Sequence, residues 1–200
     1  MSLDSRRSLA LAAVAVTAVA CLTVAAAFAF VPFHVGASEA ATDSTVGKTV
    51  AGNATSEFDG RMHLHAAGPG SDRVADGVAT RLERAGLTVE RVETLNGSHD
   101  RPVLAVRVQE RTVAYNPVTP SATVAWSYAY VASGNGTLAS RAVRDESLTV
   151  DSGSDRYVVD GDFTMRHRAR GVYSAPGYGR LVDDRVAATT TASLRNQTRD

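Results

Sequence analysis

From Leu9 to Phe33 the chain carries no charged residue, Arg6 and Arg7 stand just before this run, and the first acid after it is Glu39. At about 1.5 Å rise per residue, a helix of that length spans the roughly 30 Å hydrocarbon core of a bilayer with some tilt to spare. The run therefore predicts a transmembrane helix over residues 9–33. Its basic flank lies on the N-terminal side, and the next lysine or arginine is Lys48. By the positive-inside rule residues 1–8 form a cytoplasmic tail, and everything after Phe33 is extracytoplasmic.

Three fates of this segment fit the residues. A retained, single-pass signal anchor fits the length, because secretory apolar regions usually run only about 7–15 residues. A cleaved leader, giving a secreted protein, fits the small residues Val35-Gly36-Ala37 and Ser38-Glu39-Ala40, and Ser5-Arg6-Arg7-Ser8-Leu9 echoes a twin-arginine signal. Cys21 after Ala18-Val19-Ala20 suggests a lipid-attachment site, but Leu22-Thr23-Val24 continues the apolar run where a lipoprotein would turn polar. The retained anchor, with the lipid bilayer as partner of residues 9–33, is the leading expectation.

The asparagines point to the same side of the membrane. Of Asn53, Asn96, Asn116, Asn135 and Asn196, all but Asn116 open an N-x-[ST] sequon. Asn53, Asn96, Asn135 and Asn196 are thus expected glycosylation sites, although asparagine also favours Ser/Thr-rich turns for its own reasons.

Beyond the run lie roughly 160 residues, enough for one domain with a real core. Its charge balances, with 21 basic and 21 acidic residues in the whole chain, so no strong field draws it to nucleic acid. The single cysteine lies in the apolar run, which removes disulfides, thiolate metal sites and cysteine nucleophiles from the domain. Residues 34–56, rich in Gly, Ala, Ser and Thr without periodicity, read as a flexible stalk, and residues 57–200 as an extracytoplasmic domain.

Within that domain, Phe58, Met62 and Leu64 suggest a first strand. Ser71 to Ala85 reads as a helix, with Val74, Val78 and Leu82 at helical spacing and Gly86 as its stop. Strand-like runs come next at 87–95, 102–115, 122–131, 138–150 and 157–173, and 179–194 returns to helical spacing. The predicted fold is α+β: an N-terminal transmembrane helix, then an antiparallel β-meander of four to five strands flanked by two helices.

Two patterns offer a contact surface. Trp126, Tyr128 and Tyr130 share one strand face, either a platform for sugars or a partner, or the core face of the central strand. Arg166, Arg168 and Arg170 share one face of a later strand and could grip a carboxylate, phosphate or sulfated glycan, unless cross-strand acids such as Asp145, Glu146 or Glu110 balance them. His63 and His65, with His99 or His167, have the residue types of a zinc site but no completing carboxylate spacing, so no metal is assigned. No hydrolase, metalloprotease or P-loop motif occurs. The expectation is a surface protein that binds or scaffolds a cell-envelope protein or glycan, without catalysis or cofactor. An exported envelope hydrolase using His63, His65 or His167 with Asp160 or Asp162, and a small-ligand carrier, are the alternatives.

Overall fold

A computed structural model of the chain describes residues 3–51, 60–144 and 156–198. Helix α1 (Leu3–Phe30) opens it and ends two residues before Pro32, which cannot continue a helix. Side chains of α1 are described only from Val16, and among the described residues no helix is long and apolar enough to cross a membrane.

Residues 34–51 differ from the expected stalk. They form strand β1 (His34–Ala51), paired antiparallel along its whole length with β6 (Arg156–Tyr173). Local propensity in this Ala/Ser/Thr-rich stretch is weak, but the β6 backbone needs a ladder partner and β1 supplies it. Gly36 faces Gly171 in that ladder at φ 155° and 147°, and a Cβ on either would strike the opposing backbone. The glycine pair lets the two strands approach closely where the ribbon begins. The remainder of the expected stalk, residues 52–56, and Phe58 lie outside the described residues.

Four further strands complete one six-stranded sheet in the order β1-β6-β5-β4-β2-β3: β2 (Arg61–Ala67), β3 (Thr88–Arg91), β4 (Val103–Ala114) and β5 (Ser121–Val131). Strands β4, β5 and β6 form the expected antiparallel meander. Strands β2 and β3 run parallel to each other, and β2 runs parallel to β4, so the sheet is mixed and has more strands than expected. Helix α2 (Ser71–Arg84) carries the chain back along the sheet between β2 and β3 and so makes that pair parallel, and residues 92–102 carry it back again past β2 to give the parallel β2–β4 pair.

Residues 138–150 also differ. Asn135 Oδ1 accepts from Leu138 N at 2.9 Å and caps a short helix, α3 (Gly136–Ala142), where an edge strand was expected. Residues 145–155 lie outside the described residues. The last helix, α4 (Ala175–Thr198), continues through Thr189-Thr190-Thr191, where the Thr190 and Thr191 hydroxyls bond back to the Val186 and Ala187 carbonyls and so do not leave their O–H groups unsatisfied in the core.

Helices α2 and α4 cover one face of the sheet. Val74, Val78 and Leu82 from α2 and Val182, Val186 and Leu194 from α4 pack on Leu104, Val106, Val124, Trp126, Tyr128 and Met165. On the other face α3 covers a smaller cluster of Val103, Ala105, Ala129, Val131 and Val158. Among the described residues no helix covers the rest of that second face, across β1 and most of β6, and its side chains are largely exposed.

Candidate functional site

Strand β6 has the period-two pattern of a half-solvated strand. Phe163, Met165, His167 and Ala169 point into the core, and Arg166, Arg168 and Arg170 are exposed on the opposite face. Alternate residues lie about 7 Å apart, so the three guanidinium groups rise from a row about 13 Å long at its base. Their ladder neighbours are Ala41, Glu39 and Ala37 on β1, and Thr123 and Ser121 on β5 beside Arg166 and Arg168, all but Glu39 small. Small neighbours leave the row standing as a ridge between two grooves. One, of about 410 Å³, lies along Ala37–Glu39 and Arg168–Arg170, and a smaller one runs between Thr112, Ser121 and Arg166.

Glu39 is the acid directly opposite, across from Arg168. No ion pair within 4.0 Å joins any of the three arginines to a described carboxylate. Glu110 pairs with Ala125, two strands from β6, and accepts from Thr112 Oγ1 at 3.2 Å instead. Asp145 and Glu146 lie outside the described residues.

Trp126, Tyr128 and Tyr130 are fully buried beneath α2 and α4, on the face away from the arginines. They are core residues and present no platform, because the period of β5 turns this stripe toward the helices. Trp126 stacks on Phe163 at 5.0 Å between ring centres and donates from Nε1 to Thr190 Oγ1 at 2.9 Å. Tyr128 Oη lies 3.0 Å from Ser193 Oγ, and burial pushes its hydroxyl pKa up to about 12. The expected contact set is therefore split, and only its arginines share a surface.

The histidines divide as well: His63 and His99 meet, while His65 and His167 have other partners. His63 lies on β2, buried, with Nε2 3.1 Å from Asp100 Oδ1 and its ring 5.2 Å from that of His99. That contact holds the exposed Asp100 carboxyl below its usual range. His65 Nδ1 meets the Val92 carbonyl at 3.1 Å. Completely buried His167 sits in the core, its Nδ1 2.9 Å from Tyr178 Oη. Among the described residues no three His, Cys, Asp or Glu side chains are placed to hold a metal ion.

Sequence reasoning missed the partners of Asp183-Asp184. Asp183 is buried on α4 and meets Arg111 Nε at 3.0 Å and Arg73 Nη1 at 3.5 Å, while Asp184 meets Arg81 at 3.3 Å. No local spacing signals these contacts, because the arginines come from β4 and α2. Of the sequons, Asn96 and Asn196 are exposed, Asn135 is half-buried as the α3 cap, and Asn53 lies outside the described residues.

No family model matches the chain, and no curated protein sequence matches it. Similar solved structures include a dodecamer of a PelC point variant from Paraburkholderia phytofirmans, with 14% identity and a TM-score of 0.42 over 79% of this chain and 100% of that one. A minor lipoprotein from Acinetobacter baumannii is similar at 11% identity and a TM-score of 0.34, over 67% of this chain and 91% of the other. At these scores the likeness carries no argument about function.

Proposed function

We propose that the chain is an extracytoplasmic binding domain, tethered to the cell membrane by residues 9–33, whose arginine row takes an acidic partner from the cell envelope. The observation that carries this reading is the row Arg166, Arg168 and Arg170: exposed, unpaired among the described residues, and flanked by grooves on the uncovered half of the sheet. Guanidinium groups bind carboxylates, phosphates and sulfates in a forked geometry, and a straight row suits an extended acidic chain better than a compact anion. The charge-free run after Arg6 and Arg7 supports the tether and its direction. Exposed Asn96 and Asn196 leave room for glycans.

The alternatives have less support. An enzyme built on His167 with Asp160 or Asp162 would need them together, yet the β6 period puts His167 in the core and both acids on the opposite face. A ligand carrier would need an apolar chamber between sheet and helices, and Trp126, Tyr128, Tyr130, Phe163, Tyr173 and Tyr178 fill that space.

The test uses the full chain in zwitterionic micelles, with polygalacturonate, heparin and neutral dextran as immobilised probes. The wild type is expected to bind one or both polyanions in a salt-sensitive way and to ignore dextran. The triple variant Arg166→Ser, Arg168→Ser, Arg170→Ser should lose at least about tenfold in affinity, or about 1.4 kcal/mol, with unchanged near-UV circular dichroism. Equal binding by the two proteins would sink the assignment of this face.

A further inference from the structure

We infer that the end of the domain from which α1 emerges is seated in the headgroup region of the same bilayer, so that the domain lies against the membrane. The surface consists of Val31, Val35, Tyr115, Val118 and Val172. This inference rests on the proposal that residues 9–33 enter a membrane.

Three observations converge on it. The first is how exposed apolar side chains are distributed. Outside α1, the large exposed apolar residues among those described are Val31, Val35, Val50, Tyr115, Val118 and Val172. All but Val50 gather at one end. Val35, 72% exposed, is the ladder partner of Val172, 46% exposed. On the other side of β6, the carbonyl of Val118, itself 55% exposed, accepts from Gly171 N. Tyr115 Oη donates to the Tyr173 carbonyl at 2.8 Å. Val50 lies about 50 Å away along β1 at the usual strand rise. Single exposed valines need no explanation, but a cluster confined to one end does.

The second is the rigid exit of α1. Only Val31, Pro32 and Phe33 separate α1 from β1, and Phe33 is held by the domain. Its N–H donates to Ser174 Oγ at 2.8 Å, its carbonyl accepts from Ser174 N at 3.0 Å, and its backbone passes against Gly177, where a Cβ would strike it. His34 stacks on Tyr173. With residues 34–51 in the sheet, no slack segment lies between helix and domain to lift it away. A helix entering the bilayer brings the clamped end to within a few residues of the headgroups.

The third is the polar end. Asn96, Asn135 and Asn196 all lie at the opposite pole: Ser98 bridges to Asn135, and Tyr157, at the start of β6, donates to the Gln197 carbonyl. The apolar end carries none of these described sequons.

The experiment uses the full chain with Cys21→Ala, so that each added cysteine is the sole thiol. An environment-sensitive fluorophore is placed in turn at Val118→Cys, Val172→Cys, the distal Thr137→Cys and, within α1, Val19→Cys. Each protein is reconstituted into phosphatidylcholine vesicles containing about a fifth phosphatidylglycerol and a nitroxide lipid, with the nitroxide near the headgroup for the labels at 118, 172 and 137 and deep in the acyl chains for the label at 19. Labels at 118 and 172 are expected to shift to the blue and lose about half their emission to the nitroxide, with no change at 137. Unquenched labels at 118 and 172 with a quenched label at 19 would overturn the inference while leaving the tether intact. If label 19 is also unquenched and the protein does not float with the vesicles, both ideas fall. Quenching at 118 and 172 without quenching at 19 would remove the tether and overturn the inference as an α1-seated contact, leaving the apolar end as a membrane surface in its own right.

Discussion

Arg111 on β4 donates from Nε to an Asp183 carboxylate oxygen on α4 at 3.0 Å, tying sheet to helix across 72 residues of sequence. The carboxylate is almost wholly buried and the guanidinium mostly so, at 4% and 20% side-chain exposure, so neither charge has much water to fall back on. Asp183→Ala should therefore cost about 2–4 kcal/mol, because it strands the Arg111 charge. Replacing both, as Arg111→Met with Asp183→Leu, should recover most of that loss. Urea unfolding of the variants measures both effects, and a negligible cost for Asp183→Ala would show the pair to be ornamental.

Gly77 sits where α2 crosses α4, and a Cβ there would lie 2.8 Å from the Ala187 Cβ. Two effects oppose each other in Gly77→Ala. Helix propensity gains about 1 kcal/mol, whereas overpacking against a Cβ fixed to a backbone costs about 1–3 kcal/mol. Overpacking should win, giving net destabilisation. On an Ala187→Gly background the same substitution should become stabilising, since the obstruction is gone and the propensity gain remains. A double-mutant cycle in urea reads the change of sign, and no reversal would mean that the helices yield freely at this crossing.

How much the residues disclose depends on where the forces act. Periodicity is local, so α2 with Val74, Val78 and Leu82, the alternation of β6 and the exposed arginine row were all legible. Ladder pairing is non-local. Nothing in Ala37 to Thr45 announces that it pairs with residues 162–170, so β1 read as a stalk. Asn135-Gly136-Thr137 fits a hairpin turn and a helix cap equally well, and the choice depends on Val103, Ala105 and Val131 offering Ala139 a place to pack. The aromatic stripe was legible as a stripe, but its side of the sheet was fixed by α2 and α4. The strand–helix–strand order from Met62 to Val89 did carry the parallel pairing, and an assumed all-antiparallel meander overlooked it.

Thr190 resolves a polar conflict inside the core. Its hydroxyl accepts from Trp126 Nε1 and donates to the Val186 carbonyl, at 2.9 Å in each case. Thr190→Val keeps the shape but leaves the indole N–H without an acceptor, at a cost of about 1–3 kcal/mol. Thr190→Ser keeps the acceptor and should cost less. The chain has one tryptophan, so its emission reports this site alone. The spectrum should change with valine and hold with serine, and identical spectra would deny the hydrogen bond.

His167 makes stability depend on pH in a direction that can be worked out. It is completely buried, and burial first, with the Arg185 charge second, lowers its pKa below the ordinary 6.5. The neutral ring fits its surroundings if Nδ1–H donates to Tyr178 Oη and that hydroxyl donates to the His167 carbonyl, leaving Nε2 as a bare lone pair in the core. Below pH 6.5 the unfolded chain takes up a proton that the folded one refuses. The unfolded state then binds more protons, so stability rises with pH in this window and falls as pH drops from about 6.5 toward the lowered value, by at most about 1.4 kcal/mol per pH unit. Above 6.5 the contribution is fully present and flat. His167→Phe cannot titrate, so the stability difference between wild type and variant should be constant above pH 7 and should shrink or reverse on acidification. Urea midpoints collected from pH 8 to pH 5 measure that difference, and parallel curves throughout would mean that His167 is protonated as readily in the fold as in water.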